Sequence, residues 1–389
     1  MKSIVLFLVG ACLLVSAEAR DPLIVSHRGA RCEFDDNAAG GFAWSYAKGI
    51  RGFETDVRFS KDHALVIMHD TSVNRTTDGC ALVEDLTLQE YRKLRIRNCA
   101  EPVPTLDDLA DVLKGRTDFL LAIELNIRPD RYYTPPVIEE YCRKVDALAR
   151  SRFAKGTYLM SCFEEDVLRV MRKVNPEAPL SYITNKPLTR EVIDRARAIG
   201  CTGIDAKMLP SVTAADVRAA KAAGLSVCLW MVQDAADYAR AKALGADRVT
   251  TDYPNLLARA VAGRPKKAVA VRREVLSEKK GGPVSAENAK TLKALCGKYA
   301  CAVLVADGAA GDGPELEGIP VEVVRGARDG FDAASAWAKR KGVFLDDLVF
   351  IGDDFADTSP DARVRTQGVD RLVITEDRNF GLVTGVLLK

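Results

Sequence analysis

The chain has 389 residues, with 56 basic side chains against 54 acidic ones and a formal net charge of +2. That length accommodates two domains, and the near-balanced charge gives no footprint of nucleic-acid binding. The N-terminal apolar run, Ile4 to Val15, is too short to span a bilayer, so no transmembrane segment is expected.

Met1 to Ala19 reads as an export leader. Lys2 supplies a positive start, Ile4 to Val15 an apolar core, and Ala17-Glu18-Ala19 a small-x-small cleavage site. A lipoprotein site at Val9-Gly10-Ala11-Cys12 ranks second, because it would leave a short signal and an apolar stretch after the cysteine. The mature protein is therefore expected to be secreted or periplasmic, where disulfides are permitted. Ten cysteines, one of them Cys12, leave an odd nine, so at least one thiol has no partner within the chain. Cys80 and Cys99 bracket a short segment between turn-rich stretches and are the best candidate pair. Cys162, Cys201 and Cys228 fall in strand-like runs and read as buried thiols.

From Leu23 to Gly263, strands and helices alternate. Strand-like runs occur at 23–26, 52–57, 65–69, 119–124, 157–162, 179–184, 203–206, 226–231 and 248–251. Helical patterns such as TREVIDRARAIG and AADYARAKALG separate most of them, opening on a capping or small residue and closing on Gly. Such alternation predicts a (β/α)₈ TIM barrel of α/β class over residues 20–263. Nine strands compete for eight places. No helix separates 65–69 from the strand before it, so 52–60 and 65–69 are read as a hairpin above the barrel mouth. Its returning arm would bring His69 beside Asp56.

Three of these runs end in polar residues: Leu23 to Ser26 in His27-Arg28-Gly29, the second strand in Glu54-Thr55-Asp56, and Leu65 to Met68 in His69-Asp70. The C-terminal ends of parallel strands are where ligands bind. Glu54 and Asp56, two apart on a strand, share a face and repel each other unless a cation or proton sits between them. Oxygen donors of this kind suit one divalent cation, Mg²⁺ or Ca²⁺. His27 and His69 can serve as general acid and base near neutral pH, and Arg28 is a fixed cation suited to phosphate. The set suggests phosphodiester cleavage. Glu124, ending FLLAIE on the next strand, would complete one face of the oxygen site.

HRG, E-x-D and HD in this order and spacing resemble the glycerophosphodiester phosphodiesterases. The likeness extends to about Ala262 through Glu124, Ser161 and Phe163 in YLMSCF, Trp230 in VCLWMV, and GADRVTTDYP. The resemblance implies a metal ligand at Glu124, a small cap insertion at about 71–104 with a short helix from Leu88 to Leu94, and a small-molecule diester cleaved to sn-glycerol 3-phosphate and an alcohol. Two departures stand out. The usual Pro-Glu-Asn-Thr reads Asp35-Asp36-Asn37-Ala38, and the usual E-x-K reads Glu124-Leu125-Asn126, which removes a lysine beside the metal. Lys207 or Lys186 is the candidate replacement for holding phosphate, and Trp230 the candidate apolar wall for glycerol.

Residues 264–283 read as a basic, solvated linker between turn residues. From 284 to 389 a smaller Rossmann-like α/β domain follows, in which LVFIGDDFAD resembles the late acidic motif of haloacid-dehalogenase-type phosphatases through Asp353, Asp354 and Asp357. The early D-x-D nucleophile has no match, since the segment offers only Asp307-Gly308-Ala309. The domain is therefore expected to be non-catalytic. Two rival readings of the whole remain: a phospholipase of the sphingomyelinase D type, and a barrel that binds without catalysis.

Overall fold

The computed structural model describes residues 20–97, 99–264, 266–277, 282–305, 316–325, 330–343, 347–352 and 370–373, with Phe380, Thr384, Gly385 and Leu387. The leader with Cys12, Asp307, and the acidic motif at Asp353, Asp354 and Asp357 lie outside the described residues.

Nine strands precede Gly263: β1 (Leu23–Ser26), β2 (Gly52–Phe59), β3 (Leu65–Ile67), β4 (Leu120–Leu125), β5 (Tyr158–Cys162), β6 (Leu180–Thr184), β7 (Gly203–Lys207), β8 (Ser226–Trp230) and β9 (Arg248–Thr251). Eight are parallel and run β1-β9-β8-β7-β6-β5-β4-β2, and β1 pairs back onto β2, which closes the barrel. The ninth, β3, pairs antiparallel with the end of β2, Val57 opposite Ile67 and Phe59 opposite Leu65, so the hairpin forms as read from the sequence.

Parallel strands need crossovers, and helices supply them after most strands, for example Pro135–Arg152, Arg190–Ile199 and Ala235–Leu244. The sheet is therefore covered on its outer face and filled on its inner one. In β2 every residue is buried. Phe53, Val57 and Phe59 join the large apolar core with Phe42, Phe119 and Tyr141. Glu54, Asp56 and Arg58 alternate with them and face the other side. The fold thus drives two carboxylates inward by making their neighbours the outward packing surface.

The cap insertion has a core of its own, in which Val73, Val83, Tyr91, Ile96, Cys99 and Val103 pack with Val66 and Met68 of the hairpin. Its helix is shorter than the sequence implied, Leu88–Tyr91, and begins in a capping box between Thr87 and Glu90. Tyr91 donates to the Ile67 carbonyl at 3.0 Å and ties the cap to β3. The expected Cys80–Cys99 disulfide is absent. Cys80 is an exposed thiol that accepts a hydrogen bond from Asn74 at 3.3 Å, whereas Cys99 is buried in the cap core.

The second unit contains a five-stranded parallel sheet of β10 (Ala268–Arg272), β11 (Ala300–Val305), β12 (Glu322–Arg325), β13 (Leu348–Gly352) and β14 (Asp370–Val373), in the order β12-β11-β10-β13-β14. The solvated linker at 264–283 is therefore a misreading: its Ala268–Arg272 segment is the central strand. The charges of Lys266, Lys267, Arg272 and Arg273 masked a five-residue strand in which Ala268 and Ala270 pack on the helix bearing Trp337, and Val269 and Val271 fill the opposite core. That opposite core also takes Cys32, Tyr253 and Leu256 from the barrel, and Arg259 bridges to Asp347 at 2.8 Å. The two units dock. No described helix is long and apolar enough to cross a membrane.

Candidate active site

The site sits where β1, β2, β3 and β4 end. β1 runs into a single 3₁₀ turn, His27–Gly29, in which Arg28 and Gly29 have positive φ, as does Ala30 just after it. Gly29 is required here: its φ is +71°, and a Cβ would stand 2.7 Å from the Phe42 ring. The turn aims the Arg28 backbone N–H at Glu54, 2.9 Å from Oε2.

Glu54, Asp56 and Glu124 converge so that one oxygen from each lies within 4.8 Å of the others. Register explains the convergence, because Asp56 stands beside Glu124 across the β2–β4 pair and Glu54 lies one inward position below. Burial, with Asp56 and Glu124 next to it, pushes the Glu54 carboxyl well up. Burial and Asp56 push Glu124 up to about 8. Burial also opposes ionisation of Asp56, but Arg28, His69 and Asn37 outweigh it and hold that carboxyl below its usual range. Glu54 Oε1 is buried with no hydrogen-bond partner among the described residues. Three oxygens around an orphaned acceptor suit a hard divalent cation, which would supply the missing partner and charge.

Two asparagines fix the central carboxylate. Asn37 donates to Asp56 Oδ2 at 2.8 Å, and Asn126 to Oδ1 at 3.0 Å. The same Asn126 amide donates to the His69 carbonyl at 2.9 Å. The residue in place of the lost lysine therefore couples β4, Asp56 and the hairpin arm that carries His69, a role its neutral side chain gave no hint of in the sequence.

Both histidines are held by carboxylates. His27 Nδ1 lies 2.6 Å from Asp252 Oδ1, and His69 Nδ1 lies 2.7 Å from Asp70 Oδ1. A carboxylate can only accept, so each Nδ1 carries the proton and each Nε2 is left for chemistry. His27 Nε2 is 3.8 Å from Glu54. Burial and Arg28 hold the His27 ring below the usual imidazole range against the pull of Asp252. Burial opposes the ionisation of Asp252, but the His27 contact dominates and holds it down to about 2. Gln233 donates to its second oxygen at 2.8 Å. Asp70 is itself clamped by Arg75 at 2.6 Å.

Arg28 lies deeper than a surface phosphate clamp. Its guanidinium is 3.1 Å from Asp36 and 3.4 Å from Asp56, though it still lines the cavity. That cavity, about 290 Å³, is bounded by His27, His69, Glu124, Phe163 and Trp230 together with Arg31. Trp230 lines its wall, its indole donating to the Asp205 carbonyl at 3.0 Å and Phe163 standing edge-on at 6.0 Å. Lys207 is not brought in: it is exposed, and its Nζ lies over the Trp230 ring, 5.9 Å from the centroid. Lys186 is also outside the lining.

Asp252 and Arg31 escaped the sequence reading. Asp252 lies in the quoted GADRVTTDYP segment, at a strand end, which was the available signal. Arg31 had only its place after HRG.

The profile of the glycerophosphoryl diester phosphodiesterase family matches residues 27–256, more than half of the chain. A glycerophosphodiester phosphodiesterase of Caldanaerobacter subterraneus subsp. tengcongensis is 28% identical over 243 residues, 60% of this chain and 96% of the relative. Among solved structures, a phosphodiesterase of Oleispira antarctica, in complex with its product sn-glycerol-3-phosphate, superposes with a TM-score of 0.55 at 24% identity, covering 62% of this chain and 97% of that one. A glycerophosphodiester phosphodiesterase of Parabacteroides distasonis superposes at 0.53 and 20% identity over 63% and 98%.

Proposed function

Since the chain belongs to the glycerophosphoryl diester phosphodiesterase family and is an enzyme of that class, we propose that it hydrolyses glycerophosphodiesters to sn-glycerol 3-phosphate and an alcohol, using one divalent cation held by Glu54, Asp56 and Glu124. The observation that carries the metal is the orphaned Glu54 Oε1 within three converging carboxylates. When bound, the cation supplies charge neutralisation and Lewis acidity at the phosphate.

The chain's own residues do the rest. Asn37 and Asn126 keep Asp56 turned to the cluster. Asp252 and Asp70 hold each ring by Nδ1–H, so that His27 and His69 each face the cavity with Nε2, unprotonated in the ring that acts as base and protonated in the ring that acts as acid. One takes a proton from the attacking oxygen, water or a neighbouring glycerol hydroxyl, and the other gives one to the leaving alcohol. Arg28, kept cationic by Asp56, Asp36 and Glu54 against the cost of burial, and Arg31 supply the positive charge that the missing lysine would have brought. The Trp230 face receives the glycerol carbons.

The proposal places the protein outside the cytoplasm, on the strength of the Met1–Ala19 leader; sequencing the N-terminus of the exported protein should read Arg20 first. The second unit is read as a haloacid-dehalogenase-like fold without catalysis, and the full chain should then leave simple phosphomonoesters intact. The deciding experiment is incubation of the purified mature protein with glycerophosphocholine, sphingomyelin and lysophospholipid, with and without Mg²⁺ or Ca²⁺. Cation-dependent release of glycerol 3-phosphate from the first is expected. Cleavage of intact lipid alone would instead favour the sphingomyelinase D reading.

A further inference from the structure

A second cavity, about 520 Å³, opens on the far side of the catalytic rim. It shares His69, Glu124 and Phe163 with the first cavity, whereas His27, Arg31 and Trp230 line only the first. A phosphodiester has two arms. With the phosphorus at the shared rim and the glycerol arm against Trp230, the second cavity is left for the alcohol.

The charges on its wall fall into two kinds. Arg58 is consumed by Glu84 at 2.7 Å, and Asp70 by His69 and Arg75. Arg128 and Glu164 are different: among the described residues neither side chain has an ion pair or a hydrogen bond. Arg128 is exposed three residues past β4, and Glu164 is half-buried two residues past β5. These strands are adjacent and parallel, with Glu124 beside Ser161, so the two loops leave the barrel side by side. Next to Glu164 the Phe163 ring is 42% exposed, an unusual state for a large apolar side chain. One unspent cation, one unspent anion and a bare aromatic ring thus border the same cavity.

An alcohol with a single ammonium would leave Arg128 unanswered, and a neutral polyol would leave both charges unanswered. A head bearing an ammonium and a carboxylate on one carbon answers both: its ammonium against Glu164 and the Phe163 face, its carboxylate on the Arg128 fork. We propose that this cavity is the leaving-alcohol subsite and that it selects a zwitterionic, amino-acid-type head, as in glycerophosphoserine. The inference rests on the diesterase reading above.

The test compares kcat/KM on glycerophosphoserine, glycerophosphoethanolamine, glycerophosphocholine and glycerophosphoglycerol for the full chain and for Arg128→Ala, Arg128→Lys and Glu164→Gln. The natural protein should favour the serine diester over the other three by about tenfold, the scale of one additional charge-assisted contact. Arg128→Ala should erase the serine-to-ethanolamine ratio and Arg128→Lys should keep part of it. Glu164→Gln should lower the ethanolamine-to-glycerol ratio. Equal efficiency on all four diesters, or ratios unmoved in the variants, overturns the inference and leaves the activity standing. A protein that cleaves none of the four overturns the diesterase reading and this inference together.

Discussion

Asp205 on β7 and Glu124 on β4 both project into the barrel, yet they meet opposite surroundings. Asp205 lies 3.1 Å from the Arg248 guanidinium and accepts from the Ser181 hydroxyl at 2.8 Å. It is a buried charge whose partner the chain itself provides. Glu124 instead stands with Glu54 and Asp56, and the one arginine or lysine in contact among the described residues, Arg28, is 3.4 Å from Asp56 and shared with Asp36. An internally matched pair serves structure. An unmatched cluster at the strand ends costs folding energy, and such clusters persist where a ligand supplies the missing charge. The histidines stand on the unmatched side of that division, His27 Nε2 lying 3.8 Å from Glu54.

That comparison can be broken at several points. The largest effect should come from the histidines: His69→Ala or His27→Ala should lower kcat by about 10²–10⁴-fold with an unchanged circular dichroism spectrum. A folded His69→Ala protein of near-normal rate would remove that ring from the chemistry. Asp252→Asn should cost about 10–100-fold in kcat through the tautomer of His27, with KM little moved. A change confined to KM would speak against the positioning role. The smallest effects are in stability and sharpen the comparison most, because they have opposite signs. Glu54→Gln removes a carboxyl whose ionisation burial and its neighbours oppose, and should stabilise the metal-free protein at neutral pH by about 1 kcal/mol, read as a higher urea midpoint. Asp205→Asn orphans the Arg248 guanidinium and should destabilise the protein by about 3 kcal/mol, read as a lower midpoint. Equal signs would erase the distinction between the two sets.

Much of this site was legible because strand periodicity is rigid. Glu54 and Asp56 two apart must share a face, and the absence of a helix between 59 and 65 forces a hairpin, which carries His69 back to the barrel. What stayed hidden depends on tertiary approach. Asp252 reaches His27 from 225 residues away, and nothing local to either announces the pair. Asn126 read as the loss of a lysine, because only the structure shows its amide spanning Asp56 and the His69 carbonyl. Lys207 ends a barrel strand, as a ligand residue should, but its ammonium lies over the Trp230 ring and the residue is not part of the cavity lining. The central strand β10 was obscured by composition, with Lys266, Lys267, Arg272 and Arg273 flanking AVAV, where alternation of Ala and Val was the better signal. Docking of the second unit on Cys32, Tyr253 and Leu256 follows from that strand and had no separate signature.

The central claim is that Glu54, Asp56 and Glu124 lack a charge that a divalent cation supplies. Calorimetric titration of chelator-treated protein with Mg²⁺ and with Ca²⁺, repeated on Glu124→Gln, tests it most directly. The account predicts one ion per chain for at least one of the two metals, with affinity reduced at least tenfold in the variant. No binding of either ion, or binding that Glu124→Gln leaves untouched, would contradict it.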